Sequence, residues 1–186
     1  MPKTKSDQLQ SISKREFLGA VSAHLTAGLG GAVEPGARLS VGPDRGGATG
    51  RKLPVEDRFG GGTLRVVASL QTELFPGDQR DRFAEEGFTR DNRANRMGVK
   101  VNPDGPGYGV EGGLSVVSEV ISPGDIQMTG DGAPFVLMAE CQTTGGYPRL
   151  ATVIPADLPR VAQAPAGARL ALRWITLDEA LSVEAG

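Results

Sequence analysis

Glycine and proline interrupt this chain too often for long regular elements. Its 27 glycines and 13 prolines make 40 of 186 residues, roughly 22% against a usual ~12%. Each glycine adds backbone entropy that folding must overcome, and each proline removes a hydrogen-bond donor. Coiled coils and helical bundles are therefore disfavoured. Many short strands joined by tight turns are favoured, within a length that suits one core or slightly more.

Apolar periodicity agrees. Leu64, Val66, Ala68 and Leu70 alternate, as do Met97, Val99 and Val101, the period of a half-buried strand. Val116 to Ile121, Phe135 to Ala139 and Leu150 to Ile154 are short apolar runs bounded by turn residues and read as buried strands. Leu170, Leu172 and Trp174 share one face, with Arg169 and Arg173 opposite. Asn102-Pro103-Asp104-Gly105, Ser122-Pro123-Gly124-Asp125 and Asp131-Gly132 carry turn chemistry. Short helices are expected at about 80–87, 158–163 and 177–181, the last with Thr176 and Glu179 at capping-box spacing. A further helix is expected from Ser13 and a short strand at Arg38–Val41. Residues 42–62 hold seven glycines and little apolar material, which reads as a linker. The expected fold is mainly β, a barrel or sandwich with a few short helices.

Charge and composition narrow the function. Twenty basic and 22 acidic residues leave a net charge of -2, so no nucleic-acid or anionic-membrane partner is expected. A single cysteine, Cys141, and a single histidine, His24, exclude an internal disulfide and a cysteine-based zinc site. They also speak against a Ser-His-Asp triad, and no metal is expected. No apolar run approaches the ~20 residues of a membrane span, and the first residues have no apolar signal core. A cytoplasmic protein is the expectation.

Chemistry concentrates in Gln142-Thr143-Thr144-Gly145-Gly146-Tyr147-Pro148. Lying between two apolar runs, it reads as a loop at a strand end. Two hydroxyls, an amide and a Gly-Gly pair can direct oxygens and N–H groups at one point and cradle an anion. The plainer reading is a glycine turn with a tyrosine packed over it. Asn95-Arg96-Met97-Gly98 is the second candidate: Arg96 can clamp a carboxylate or phosphate, and Asn95 can orient an amide. Ser118-Glu119, with Gln127 beyond the Pro123-Gly124 turn, is the third. Here a carboxylate can act as general base or simply form a cross-strand ion pair. Thr143, Thr144, Arg96 and Gln127 are the expected catalytic set. Asn95, Gln142, Gly145, Gly146 and Tyr147 are expected to bind substrate or anion, all meeting at one barrel rim. Cys141, beside the loop but far in sequence from a base, reads as an inert thiol.

Several of these strings recur together in one family. Asn95-Arg96-Met97-Gly98, Ser122-Pro123-Gly124 with Ile126-Gln127, and Asp131-Gly132-Ala133-Pro134 with Val136-Leu137 lead to the Gln142–Pro148 string. Ala151-Thr152-Val153-Ile154 and Ala156-Asp157-Leu158-Pro159 follow. In order and spacing the series, from about residue 63 onward, resembles the allophanate hydrolase subunit 2 family. That family includes the 5-oxoprolinase C-subunit, KipA-like proteins and part of the carboxyltransferase region of urea carboxylase.

The resemblance implies a cyclophilin-like β-barrel over 63–186. Residues 1–41 would be a helix and glycine-rich remnant of the family's first half, and 42–62 a linker. The family's opening Thr-Val-Gln-Asp and Gly-Arg motif has no counterpart, so the chain is expected to be a C-terminal portion. The resemblance further implies a partner of the subunit 1 type (the 5-oxoprolinase B-subunit, KipI-like) sharing the site, and a hetero-oligomer. In the 5-oxoprolinase members the implied reaction is ATP-dependent opening of a cyclic amide to glutamate. The alternatives are carboxyl transfer from carboxybiotin to urea, or a regulatory, non-catalytic KipA-like role. No biotin-attachment Met-Lys motif is present.

Overall fold

The computed structural model describes residues 56–113 and 115–184, together with 34–38 and scattered positions between 42 and 54. The chain divides into two units, 1–53 and 54–186, and the second contains all of the strands and helices that follow. The helix expected from Ser13 and the strand expected at Arg38–Val41 lie outside the described residues, except for Arg38.

Nine strands are described: β1 (Gly62–Ala68), β2 (Gly87–Ala94), β3 (Gly98–Pro103), β4 (Glu119–Val120), β5 (Asp125–Met128), β6 (Pro134–Leu137), β7 (Thr144–Gly145), β8 (Arg149–Val153) and β9 (Arg169–Trp174). Three α-helices accompany them: α1 (Gly77–Glu85), α2 (Leu158–Gln163) and α3 (Leu177–Glu184). Seven strands close into a barrel in the order β1-β8-β5-β6-β3-β2-β9. An odd number of strands cannot alternate direction all the way round. Here the seam is β1–β9, which pair in parallel with Val66 opposite Trp174, while the remaining neighbours are antiparallel. The mainly β barrel with short helices is thus the observed fold.

The barrel interior is filled by alternate residues of each strand, among them Leu64, Val66, Val99, Val101, Ile126, Met128, Val136 and Val153. At one flank Phe83 of α1 packs edge-on against Phe88 and Tyr108, each with ring centroids 5.5 Å away, and tilted against Trp174 at 5.8 Å. The Tyr108 hydroxyl donates to Glu86. Its burial, and then that carboxylate, push the phenol's pKa upward. Asp157 joins α2 to β1 by accepting Arg65 N at 2.7 Å and Arg65 Nε at 2.8 Å on Oδ2, and Nη2 at 2.7 Å on Oδ1.

Three expectations change. Val116–Ile121 is not a buried barrel strand: only Glu119–Val120 pair, both are exposed, and Ile121 alone in the run is buried. Val117 and Val120 face outward because the partner of this segment is β7 and not the barrel. Leu70 is 95% exposed, since β1 ends at Ala68 and the chain turns there. From Gly98 to Val101 every residue of β3 is buried, so this strand has no solvent face, and Lys100 is buried while pairing with Asp131. The sequence reading also passed over β2, whose GFTRDNRA is largely polar. It placed Gly87 in the preceding helix, which ends at Glu85. The capping box at α3 forms: Thr176 Oγ1 accepts Glu179 N at 3.2 Å, and Glu179 Oε2 accepts Thr176 N at 2.7 Å.

Candidate functional site

β6 and β8 are both antiparallel to β5, which lies between them. The connection from β6 to β8, residues 138–148, must therefore travel the length of the barrel while passing over β5. It contains the predicted glycine-rich string, which is accordingly a strap across a barrel face and not a loop at a strand end. At its start Met138 N donates to Met97 O at 2.9 Å and Glu140 N to Arg96 O at 2.8 Å. At its finish Pro148 O accepts Met128 N at 2.9 Å. Midway, β7 pairs with β4, setting Gly145 opposite Glu119 and Thr144 opposite Val120. Val116 N to Gly146 O at 2.8 Å and Ile121 N to Thr143 O at 3.2 Å extend that pairing.

Beneath this two-stranded cover lies a polar cluster. Ile126 and Met128 point into the core, so Asp125 and Gln127 point to the opposite face of β5. All four are buried, the latter two because the strap covers them. Arg149, also buried, is the hub. Its Nη2 donates to Glu119 Oε2 at 2.6 Å, its Nη1 to Val120 O at 2.9 Å and, at 3.4 Å, to Asp125 Oδ2. Gln71 Oε1 accepts Arg149 N at 2.9 Å, and Gln71 Nε2 donates to Glu119 Oε2 at 2.9 Å. Asp125 also accepts Thr152 Oγ1 at 2.7 Å and Ser122 N at 2.9 Å. The charges buried here are thus paired and hydrogen-bonded, as burial demands.

The predicted residues fall into three places. Gln127 and Gly145 meet: a Cβ at 145 would sit 2.6 Å from Gln127 Nε2, and Gln127 Nε2 lies 3.5 Å from Tyr147 O. Gln142, Thr143, Thr144 and Tyr147 are exposed on the strap. Among the described residues, neither threonine hydroxyl has a hydrogen-bond partner within the protein. Asn95 and Arg96 sit at the strap's starting end. Asn95 Oδ1 accepts Met97 N at 2.8 Å and Gly98 N at 3.2 Å, fixing the β2–β3 turn. The largely exposed Arg96 pairs through Nε with Oε1 of the half-buried Glu140 at 2.9 Å. Gln127 therefore joins the strap from below, whereas Arg96 touches only its first residues. Glu119, considered as a base, is instead ion-paired to Arg149. Cys141 is half-buried, and burial, then the nearby Asp125, push its thiol pKa up, which keeps it protonated at neutral pH.

Sequence reasoning missed Arg149, Asp125 and Gln71. A usable signal was an arginine opening a run otherwise apolar from Leu150 onward. A buried strand carries such a residue only when it is paired.

Fold and site together describe a closed β-barrel whose one face is crossed by a Thr-Thr-Gly-Gly strap clipped down by a buried arginine. Residues 10–174 match the family model for the carboxyltransferase domain, subdomain A and B, and the chain belongs to that family. It is similar to the 5-oxoprolinase C-subunit of Escherichia coli K12, at 30% identity over 168 residues, 88% of this chain and 53% of the relative. It is also 30% identical over 128 residues to the 5-oxoprolinase C-subunit of Haemophilus influenzae, covering 69% of this chain and 39% of that protein. The chain spans about half the length, or less, of these curated relatives. A crystal structure of TTHA0988 superposes with a TM-score of 0.66 at 30% identity, over 84% of this chain and 30% of that one. The Kluyveromyces lactis urea carboxylase shares the fold, with a TM-score of 0.62 at 21% identity over 73% of this chain and 12% of that one. Among the described residues no helix is long and apolar enough to cross a membrane.

Proposed function

We propose that this chain is one subunit of an ATP-dependent 5-oxoprolinase-like amidohydrolase, acting in the cytoplasm with a subunit 1 (KipI-like) partner to open 5-oxoproline to glutamate. The observation that carries this reading is the 30% identity to a 5-oxoprolinase C-subunit over 88% of the chain. Hydrolytic opening of a cyclic amide adds a water oxygen to the carbonyl carbon, giving a tetrahedral carbon whose original oxygen gains negative charge, and then breaks the C–N bond as the leaving nitrogen takes up a proton. Donors fixed in advance around that oxygen lower the barrier. In this reading the unengaged hydroxyls of Thr143 and Thr144 supply such donors, and the buried Gln127 amide holds the strap at its working height. Gln142, Gly145, Gly146, Tyr147 and Asn95 border the substrate. Arg96, itself largely exposed beside the half-buried Glu140, neutralises charge at the strap's start.

A triphosphate calls for a nest of successive N–H groups or a free lysine within a glycine loop. The strap does not fit that need. Gly145 and Gly146 do not adopt the left-handed backbone that folds N–H groups into a nest, and β7 is paired with β4. Buried Lys100 is paired with Asp131. ATP would accordingly be held outside the strap.

The family model's description as a carboxyltransferase domain favours a second reading, in which this chain would be the carboxyltransferase component of a biotin-dependent urea carboxylase. Reconstitution separates the two. The chain is mixed with a subunit 1 homologue and the other subunits of each system. The first reading expects 5-oxoproline consumption that needs both ATP and this chain. Transfer of the carboxyl group from carboxybiotin to urea, without 5-oxoproline turnover, would replace it with the second.

A further inference from the structure

A pocket of about 440 Å³ opens at the barrel end where β1 and β9 finish, lined by Ala68, Thr72, Gly77, Arg80, Asp81 and Trp174. The catalytic reading uses none of these residues. Three features make the pocket chemically specific.

First, its positive side is assembled from two sources. The N-cap of α1 is Pro76, which provides no side-chain cap; Gln79 N donates to Pro76 O at 3.1 Å, which leaves the N–H groups of Gly77 and Asp78 in the first turn without an internal partner. The Arg80 guanidinium lies back against this same turn, with Nη2 3.7 Å from a Cβ built on Gly77. Second, Arg80 is incompletely satisfied. Its Nε is buried without a hydrogen-bond partner, and its Nη1 pairs at 2.5 Å with Glu73, whose side chain is 81% exposed. A contact to so exposed a carboxylate holds little energy and yields to a better-placed one. Third, the pocket contains a negative group, Asp81, beside a flat apolar wall, Trp174. The indole is fixed by its Nε1 donating to Arg80 O at 3.3 Å.

We propose that this pocket binds a small zwitterion of the α-amino acid type. The ligand carboxylate lies against Arg80 and the first turn of α1, the ammonium against Asp81, and the side chain against Trp174. A bidentate guanidinium contact and a helix N-terminus both favour a carboxylate. Opposite charges on adjacent residues then select a ligand that carries both signs.

Trp174 is the chain's single tryptophan, so its fluorescence reports occupancy directly, with titration calorimetry as the second readout. The full chain is titrated with the free amino acids. The N-acetyl derivative, which lacks the ammonium, and the matching primary amine, which lacks the carboxylate, serve as controls. The expected result is saturable binding of at least one free amino acid, ~10-fold or more tighter than either control. Arg80→Gln and Asp81→Asn should each weaken it by a similar factor, about 1.4 kcal/mol, with the melting temperature unchanged. Absence of calorimetric binding at millimolar concentration, controls that bind as tightly, or variants that bind like the parent would each overturn the proposal.

Discussion

Gly145 owes its identity to what lies beneath it. A Cβ there would meet Gln127 Nε2 at 2.6 Å and Ile121 Cδ1 at 3.1 Å, so a larger residue requires the buried Gln127 side chain or the strap to shift. Gly146 is under less pressure, its closest neighbour being Val116 O at 3.2 Å. Gly145→Ala should therefore lift the strap and destabilise the chain by about 1–3 kcal/mol, the usual cost of overpacking, while Gly146→Ala should cost less. Thermal melts of the two variants compare them. Equal melting temperatures would show that the strap does not press on Gln127. The sequence marked the string as unusual because hydroxyls and paired glycines crowd into seven residues. It could not show Arg149 as the hub beneath them, because the partners Gln71 and Glu119 lie far away in the chain and meet it only after the barrel closes.

The elements differ in how far they could be read in advance. β1 and β9 alternate cleanly, since one face of each meets the core, and their pattern alone identifies them. β2 does not, because its polar residues satisfy one another along the strand and across the sheet. Asp91 accepts Arg93 Nε at 2.9 Å from the same strand and Asn102 Nδ2 at 2.8 Å from β3, and apolar alternation announces neither contact. β4 and the residues before it misled in the opposite sense, since Val117 and Val120 are apolar yet exposed. The strap is an element of its own, and Arg149 is its clip. Arg149→Met should leave the barrel closed but release residues 115–121 and 142–147, at about 3 kcal/mol, the lower end of the cost of breaking a buried pair. Limited proteolysis should then cut within those two stretches well before the barrel strands. Unchanged protease resistance would mean that β4–β7 pairing alone holds the strap. Phe83 plays a comparable part for α1, and Phe83→Ala should lower stability by about 3–5 kcal/mol in a denaturant titration.

Across the whole molecule, carboxylates tied to arginine and lysine set the acid limit. Burial opposes ionisation of Asp157, but the hydrogen bonds from Arg65 outweigh it and leave the pKa below the ordinary value. Lys100, then Thr129, hold Asp131 well below the usual carboxylate range, and Arg93 does the same for Asp91. A depressed folded-state pKa adds stability that is fully present above the unfolded value, ~3.9, and is lost as pH falls towards the folded value. The melting temperature should accordingly hold near neutral pH and fall below about pH 4. Asp157→Asn should melt lower at pH 7 and lose part of that acid dependence. An acid limb identical to the parent's would remove Asp157 from the account.

A mainly β fold, barrel or sandwich, was legible from glycine, proline and alternation, and the family resemblance narrowed it to a barrel. The route of the strap was not, because it depends on strand order, which local patterns do not encode. The central claim is that the strap's free hydroxyls act on the reacting carbonyl, and one rate tests it most directly: ATP-dependent 5-oxoproline consumption by the reconstituted assembly carrying Thr144→Ala. The predicted result is a fall of ~10²–10³-fold, the usual loss for one oxyanion donor, with the melting temperature unchanged because Thr144 is exposed. Full activity in that variant would contradict the account and reduce the strap to a structural cover.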